Sequence, residues 1–187
     1  MANNHKSITE GFAVELVLDA EAEAKVLAFR DIIYRDGVQP VQGLMNDKPH
    51  ISLAVFPRVD SQQLIDLTEE YTKTLSPFKF RLGAAGTFPT SGNVLFLYPV
   101  PSLELLQAHA EFHRRLQLVG LQSSPYYFPG NWVPHLTLEF DIAREELCQS
   151  VGIFKENFEP IDGEFTQVGV VGFRPVEYLA SFDLTKG

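Results

Sequence analysis

Two short stretches carry residue types suited to moving protons beside an anion: Lys48-Pro49-His50-Ile51-Ser52-Leu53 and Val133-Pro134-His135-Leu136-Thr137-Leu138. Each sets a histidine and a hydroxyl two residues apart, with one apolar residue between them and another after. Alternation of that kind reads as a half-buried strand, in which successive side chains point to opposite faces. His50 and Ser52 then share one face, opposite Ile51, Leu53 and Val55. His135 and Thr137 share another, opposite Leu136, Leu138 and Phe140. Imidazole is the side chain best matched to proton transfer near neutral pH. A reaction that removes one proton and supplies another needs two such groups, on opposite sides of the reacting centre. A hydroxyl about 7 Å further along the same face can hydrogen-bond an oxygen of a phosphate under attack.

The likeness extends past the motifs. A shift of 85 positions carries His50 onto His135, Pro49 onto Pro134, Leu53 onto Leu138, Phe80 onto Phe165 and Phe88 onto Phe173. Five matches at one offset suggest a duplicated unit. Two similar lobes related by a pseudo-twofold axis would turn both open strand faces toward one cleft.

The elements that must position these residues follow from periodicity and punctuation. Phe12 to Leu18 reads as a strand, and Asp19 as the N-cap of a helix with Ala22, Val26, Phe29 and Ile33 inward, ended by Gly37 and Pro40. A loop from Val38 to Lys48 leads to the first histidine strand, which stops near Pro57. Asp60 or Ser61 caps a helix with Leu64, Leu67, Tyr71 and Leu75 inward. Phe78 to Phe88 and Asn93 to Val100 read as strands joined through Pro89-Thr90-Ser91-Gly92. Ser102 opens a helix with Leu105, Ala108, Phe112, Leu116 and Val119 inward. After an aromatic loop and the second histidine strand, Asp141 caps a helix with Ala143, Leu147, Val151 and Phe154 inward. Glu164 to Phe173 and Val176 to Leu184 close the chain. The fold class expected is α+β: a bilobal duplicated fold, with two similar, mostly antiparallel sheets and helices outside a central cleft. Residues 1–187 form a single domain in this reading.

Composition limits the partners. At 187 residues, 45% hydrophobic and 21% charged, the chain suits one soluble globular domain. A net charge of −9 argues against a long grip on duplex nucleic acid, which depends on neutralised phosphates. A small cleft with locally positive walls remains compatible with a short phosphorylated ligand. The single cysteine, Cys148, suits a reducing compartment and reads as small apolar filler in a helix. No stretch reads as a signal peptide or a membrane span, so a cytoplasmic protein is expected, monomeric by default.

The paired His-Ile-Ser-Leu and His-Leu-Thr-Leu tetrapeptides, each preceded by proline, resemble the signature of the two-histidine (2H) phosphoesterase superfamily. That group includes 2′-5′ RNA ligase and 2′,3′-cyclic phosphodiesterase enzymes. The first motif has Ser where Thr is the commoner family choice, and both supply a hydroxyl. The resemblance implies a concave groove and metal-independent chemistry on 2′,3′-cyclic or related phosphodiesters, with no cofactor. His50 and His135 would be the catalytic acid and base, in an order the sequence leaves open. Ser52 and Thr137 would bind the phosphate. The implied partner is a short nucleotide or an RNA terminus with a cyclic phosphate. The alternative is a non-catalytic module that binds a nucleotide or phosphate in the same cleft.

Further candidates stand beside these. Tyr126, Tyr127 and Trp132, with Phe128, form an aromatic loop on which a base could stack. Among the basic residues Lys48, Lys79, Arg81 and Arg174, Arg81 alternates outward from Phe80 and Leu82 and is the first choice for offsetting phosphate charge. His109 and His113 lie one helical turn apart, but no third ligand accompanies them. In His-Ala-Glu-Phe-His the glutamate is misplaced for the metalloprotease pattern. They read as boundary residues of a surface helix, with no metal expected.

Overall fold

In the computed structural model, which describes residues 10–35, 38, 47–90 and 92–185, the expected alternation of strands and helices forms. It runs β1 (Gly11–Leu18), α1 (Ala20–Arg35), β2 (His50–Phe56), α2 (Ser61–Thr72), β3 (Phe78–Thr87), β4 (Leu95–Pro99), α3 (Leu103–Leu118), β5 (Leu136–Glu139), α4 (Arg144–Asn157), β6 (Ile161–Phe173) and β7 (Glu177–Asp183). The caps follow from short polar side chains. Asp19 accepts from the N–H groups of Glu21 and Ala22, Asp60 from Gln63, and Ser102 from Leu105. The helix stop expected at Gly37 and Pro40, and Ser91 of the β3–β4 turn, lie outside the described residues.

All strand pairings are antiparallel, in the order β2-β1-β6-β3-β4-β5, with β7 added to β6. The two halves are joined through β6, whose first residues pair with β3 and whose remainder pairs with β1 and β7. Hydrogen bonding is therefore continuous across what the sequence suggested as two sheets. Exchanging β1, β2 and β3 for β4, β5 and β6 leaves the strand order unchanged when it is read from the other end. Helices obey the same exchange, since α1 packs with α4 and α2 with α3. At the β3–β6 seam, Phe80 and Phe165 pack ring on ring at 4.5 Å, with Phe78 alongside at 5.2 Å from Phe165. β2 and β5 stand at opposite ends of the strand order and still come into contact, so the sheet curls. No helix among the described residues is long and apolar enough to cross a membrane.

The helix faces differ from the sequence pattern in places. Helix α4 begins at Arg144 because Asp141 adopts a positive φ of 55°, and Glu146 instead accepts from the N–H of Ala143. Its buried residues are Ser150 and Ile153, while Val151 and Cys148 face solvent, so Cys148 is not core filler. Val119 is the exposed C-cap of α3.

His109 and His113 are not boundary residues: they are 3% and 4% exposed. The reason is the free edge of β2, whose outward carbonyls need donors. Trp132 Nε1 donates to Ser52 O at 3.1 Å, His113 Nε2 to Leu53 O at 3.0 Å, and the Ser124 N–H to Val55 O at 2.7 Å. His109 donates from Nε2 to Tyr127 O and stacks flat on Trp132, with ring centroids 3.9 Å apart. Burial pushes the His109 value down to about 4, and burial also lowers His113. A histidine protonated more readily unfolded than folded withdraws stability as pH falls from about 6.5 toward 4. Urea unfolding at pH 7 and pH 5 should therefore show a loss at the lower pH. His109→Gln, which keeps an N–H donor, should remove about 1 to 2 kcal/mol of that loss.

Candidate functional site

Both histidine motifs end in the same backbone irregularity. Along β1–β2 the register passes from Val14↔Ala54 to Glu15↔Ser52, leaving Leu53 unpaired. Along β4–β5 it passes from Leu95↔Glu139 to Phe96↔Thr137, leaving Leu138 unpaired. An extra residue resets the alternation of faces. Leu53 and Ala54 are consequently both buried, and Val55 joins His50 and Ser52 in lining the cleft. In the second motif Leu138 and Glu139 are both buried, and Phe140 lines the cleft beside Thr137. The simple period-two reading put Val55 and Phe140 on the core side; the bulges reverse both.

Each imidazole is anchored in the same manner. His50 donates from Nδ1 to Lys48 O at 2.8 Å, and His135 from Nδ1 to Val133 O at 2.8 Å. A carbonyl can only accept, so the proton is on Nδ1 and Nε2 is the nitrogen left for chemistry. The cleft, about 310 Å³, is lined by His50, Ser52, Thr137, Tyr127, Glu15 and Asp47, with Arg174 among the remaining walls. His135 is close enough to His50 for the charge of one to disfavour charging the other.

The electrostatics of the two rings differ. His50 is within ion-pair distance of two carboxylates, 3.3 Å from Nε2 to Glu15 and 3.6 Å from Nδ1 to Asp47. Burial alone would lower its value, but Glu15 and Asp47 outweigh burial and raise it. His135 is pushed down, first by burial and then by His50. Burial drives Glu15 up to about 7, against the pull of His50. Tyr178 anchors this corner, accepting from the Lys48 N–H at 2.8 Å and donating to Asp47 at 3.1 Å.

The other sequence candidates scatter. The Tyr127 hydroxyl faces Ser52, and burial raises Tyr127 to about 12. Trp132 spends its indole N–H on β2 and its ring face on His109. Tyr126 is 82% exposed on the short turn Pro125–Tyr127 and lines no part of the cleft. Arg81 pairs with Asp162 across β3 and β6, away from the cleft. Lys48 lies 5.8 Å over the Tyr178 ring, and Arg174 meets Glu10 at 3.6 Å. Lys79 borders a larger depression, about 560 Å³, whose walls also include Asp19, Glu21, Asp162 and Glu164. That excess of carboxylates disfavours an anion there.

Sequence reasoning missed Glu15, Asp47 and Arg30. The signal available for Glu15 is that it is the one charge in the apolar strand Phe12 to Leu18, because a fully buried carboxylate is uncommon without a partner. Arg30 shares the buried face of α1, where its Nη2 donates to Thr137 O at 2.6 Å and its charge faces Asp47 and Glu139. The ligand atoms of Glu15, Asp47 and His50 lie within 4.8 Å of one another, so these three are the described residues able to share a cation.

Known proteins bear on this arrangement. The model of the 2′-5′ RNA ligase superfamily matches residues 19–175. The fold matches the crystal structure of E. coli LigT in apo form, with a TM-score of 0.65 and 18% identity over 95% of this chain and 98% of that one. It also matches TT0787 of Thermus thermophilus (0.62, 19%, 93% and 97%) and Kluyveromyces marxianus Usb1 (0.51, 12%, 91% and 98%). No curated protein gives a significant sequence match. The chain belongs to the 2′-5′ RNA ligase superfamily, the two-histidine phosphoesterases.

Arg30 and Glu139 offer a test of the floor beneath Thr137. Both are buried, and burial raises Glu139, against the neighbouring Ser150 hydroxyl and the weaker pull of the Arg30 charge. Arg30→Met should cost about 3 kcal/mol, because it removes the donor to the buried Thr137 carbonyl and the cation that faces Glu139. Adding Glu139→Gln should return only the part of that loss that comes from the uncompensated charge, as read in urea unfolding.

Proposed function

We propose that the chain is a metal-independent phosphodiesterase that hydrolyses 2′,3′-cyclic phosphates on nucleotides or RNA ends, and that can run the same steps in reverse to form 2′-5′ linkages. The observation that carries this reading is the matched anchoring of His50 and His135 through Nδ1, with His50 in the wall of the cleft that Ser52 and Thr137 also line, and His135 near enough to feel the charge of His50. The palindromic strand order supports a single domain of two pseudo-symmetric lobes, with one motif contributed by each.

In this mechanism Ser52 and Thr137 donate hydrogen bonds to the non-bridging oxygens and fix the phosphorus between the rings. One imidazole removes a proton from water as its oxygen attacks phosphorus. The other protonates the ribose oxygen as its bond to phosphorus breaks on the opposite side. Charge that gathers on the non-bridging oxygens is met by donors already in place, with no reorganisation during reaction. The crystal structures of LigT complexed with 3′-AMP and with phosphate support a nucleotide-sized, phosphate-bearing occupant for the related cleft here. Membership of the 2′-5′ RNA ligase superfamily is in keeping with an RNA end as the larger substrate. Tyr127, Phe140 and Phe173 are the aromatic residues of the cleft wall that could meet the base or ribose, and Tyr127 is the one among the sequence candidates.

Hydrolysis of 2′,3′-cyclic nucleotides in the presence of a chelator tests the proposal. His50→Ala and His135→Ala should each remove about two to four orders of magnitude of rate, with unchanged circular dichroism. Ser52→Ala and Thr137→Val should weaken binding of inorganic phosphate. A parent protein that binds nucleotides without turning them over would favour the binding module instead.

A further inference from the structure

The two halves of the cleft have equivalent backbones and unlike walls. In the β1–β2 ladder the residue opposite the motif hydroxyl is Glu15, paired with Ser52. In the β4–β5 ladder the same position, opposite Thr137, is Phe96. Each lies at the register shift that creates its bulge, so each is aimed at its histidine. Glu15 meets His50 Nε2 at 3.3 Å. Phe96 instead packs on the His135 ring at 5.3 Å, with Phe88 edge-on at 5.0 Å. Asp47 adds a second carboxylate on the His50 side, held by Tyr178. The charged group felt at His135 is His50 itself.

We propose that Glu15, with Asp47 beside it, is a positioning residue that keeps His50 as the imidazolium, which makes His50 the general acid and leaves His135, walled by Phe88 and Phe96, as the general base. This rests on the phosphodiesterase reading and fixes the order of roles within it. Water oxygen bonds to phosphorus while its proton passes to Nε2 of His135. The bond from phosphorus to one ribose oxygen breaks, and that oxygen takes the proton from Nε2 of His50. His50 ends neutral and His135 protonated, and exchange with solvent restores both.

The charges around His50 support this order. Glu15 on β1, ionised as pH rises through about 7, and Asp47 before β2 favour its cation, while Arg30 on α1 opposes it; Tyr127 and Tyr178, raised by burial, stay neutral near pH 7. The carboxylates prevail over burial and Arg30, and His50 is raised. At His135 burial is met by an aromatic wall and the ring is lowered. Between the two values one ring is charged and the other neutral in the same molecule, so both are in their working state together. The 3.3 Å contact to Glu15 is longer than a charge-assisted hydrogen bond of about 2.7 to 2.9 Å, which leaves the Nε2 proton available to the substrate oxygen.

NMR titration of the imidazole nitrogens in the free protein tests the arrangement without turnover. His50 should titrate above His135, and Glu15→Gln should lower His50 by about one pH unit. The alkaline limb of kcat/KM for a 2′,3′-cyclic nucleotide should move acidward by the same amount, while the acid limb, set by His135, stays. Asp47→Asn should act in the same direction and carries the test should Glu15→Gln fail to fold. A cyclic substrate with sulfur as the departing bridging atom needs no proton on the leaving group. It should recover at least tenfold of the rate lost in His50→Ala and none of that lost in His135→Ala. His135 titrating above His50, or sulfur rescue of His135→Ala, would overturn the assignment. So would activity that needs a divalent cation and loses that need in Glu15→Gln. An inactive parent in which Glu15→Gln still lowers His50 would instead defeat the phosphodiesterase reading and sustain the hold of Glu15 on His50.

Discussion

Each motif histidine is tied by its Nδ1–H to the carbonyl two residues behind it, at 2.8 Å in both halves. That bond decides the tautomer, stops the ring from turning, and leaves Nε2 as the reactive nitrogen. Pro49 and Pro134 precede the two histidines, and a proline favours extended backbone for the residue before it. The carbonyls of Lys48 and Val133 are thereby presented back toward the rings. Without this anchor the imidazoles would be mobile side chains at a strand end, and positioning is a large part of what such a cleft contributes to a reaction.

The bulges at Leu53 and Leu138 are the second constraint, because they change which residues the motif strands show to the cleft and which they bury. In the first motif the displaced residue is Ala54, which the core accepts readily. In the second it is Glu139, a carboxylate carried under the cleft floor, where Arg30 faces it and also holds the Thr137 carbonyl. Buried charges that face one another without direct contact are weak evidence for stability, since desolvation offsets much of the attraction. What ties α1 to β5 is the hydrogen bond from Arg30 to the Thr137 carbonyl, which links the half of the chain that carries His50 to the strand that carries Thr137.

A duplicated backbone invites two equal active groups, yet acid and base must differ in protonation at the moment of reaction. The difference arises from what surrounds equivalent positions, with a carboxylate opposite Ser52 and a phenyl ring opposite Thr137. The aromatic loop and α3 then close the exposed edge of β2 by donating to Ser52, Leu53 and Val55, so the strand that bears one histidine cannot recruit a foreign strand. His113 is explained by that duty, and His109 by holding the Tyr127 carbonyl and the Trp132 ring that serve it, both as buried donors.

The two motifs, the internal offset, the order of elements and three of the helix caps were legible in the amino-acid sequence, because these depend on local pattern: period two against 3.6, and short polar side chains before apolar runs. That pattern could not place the register of one strand against another, and so could not anticipate the bulges that turned Val55 and Phe140 into the cleft and Glu139 into the core. Nor could it find Glu15, Asp47 or Arg30, which are separated from their partners in the chain and acquire meaning only when β1, α1 and β5 pack together. Arg81 illustrates the same limit, since an outward cation on a strand looks free until its neighbour, Asp162, is known. Local chemistry is written residue by residue; an electrostatic environment is a sum over neighbours, and those neighbours exist only once the chain has folded.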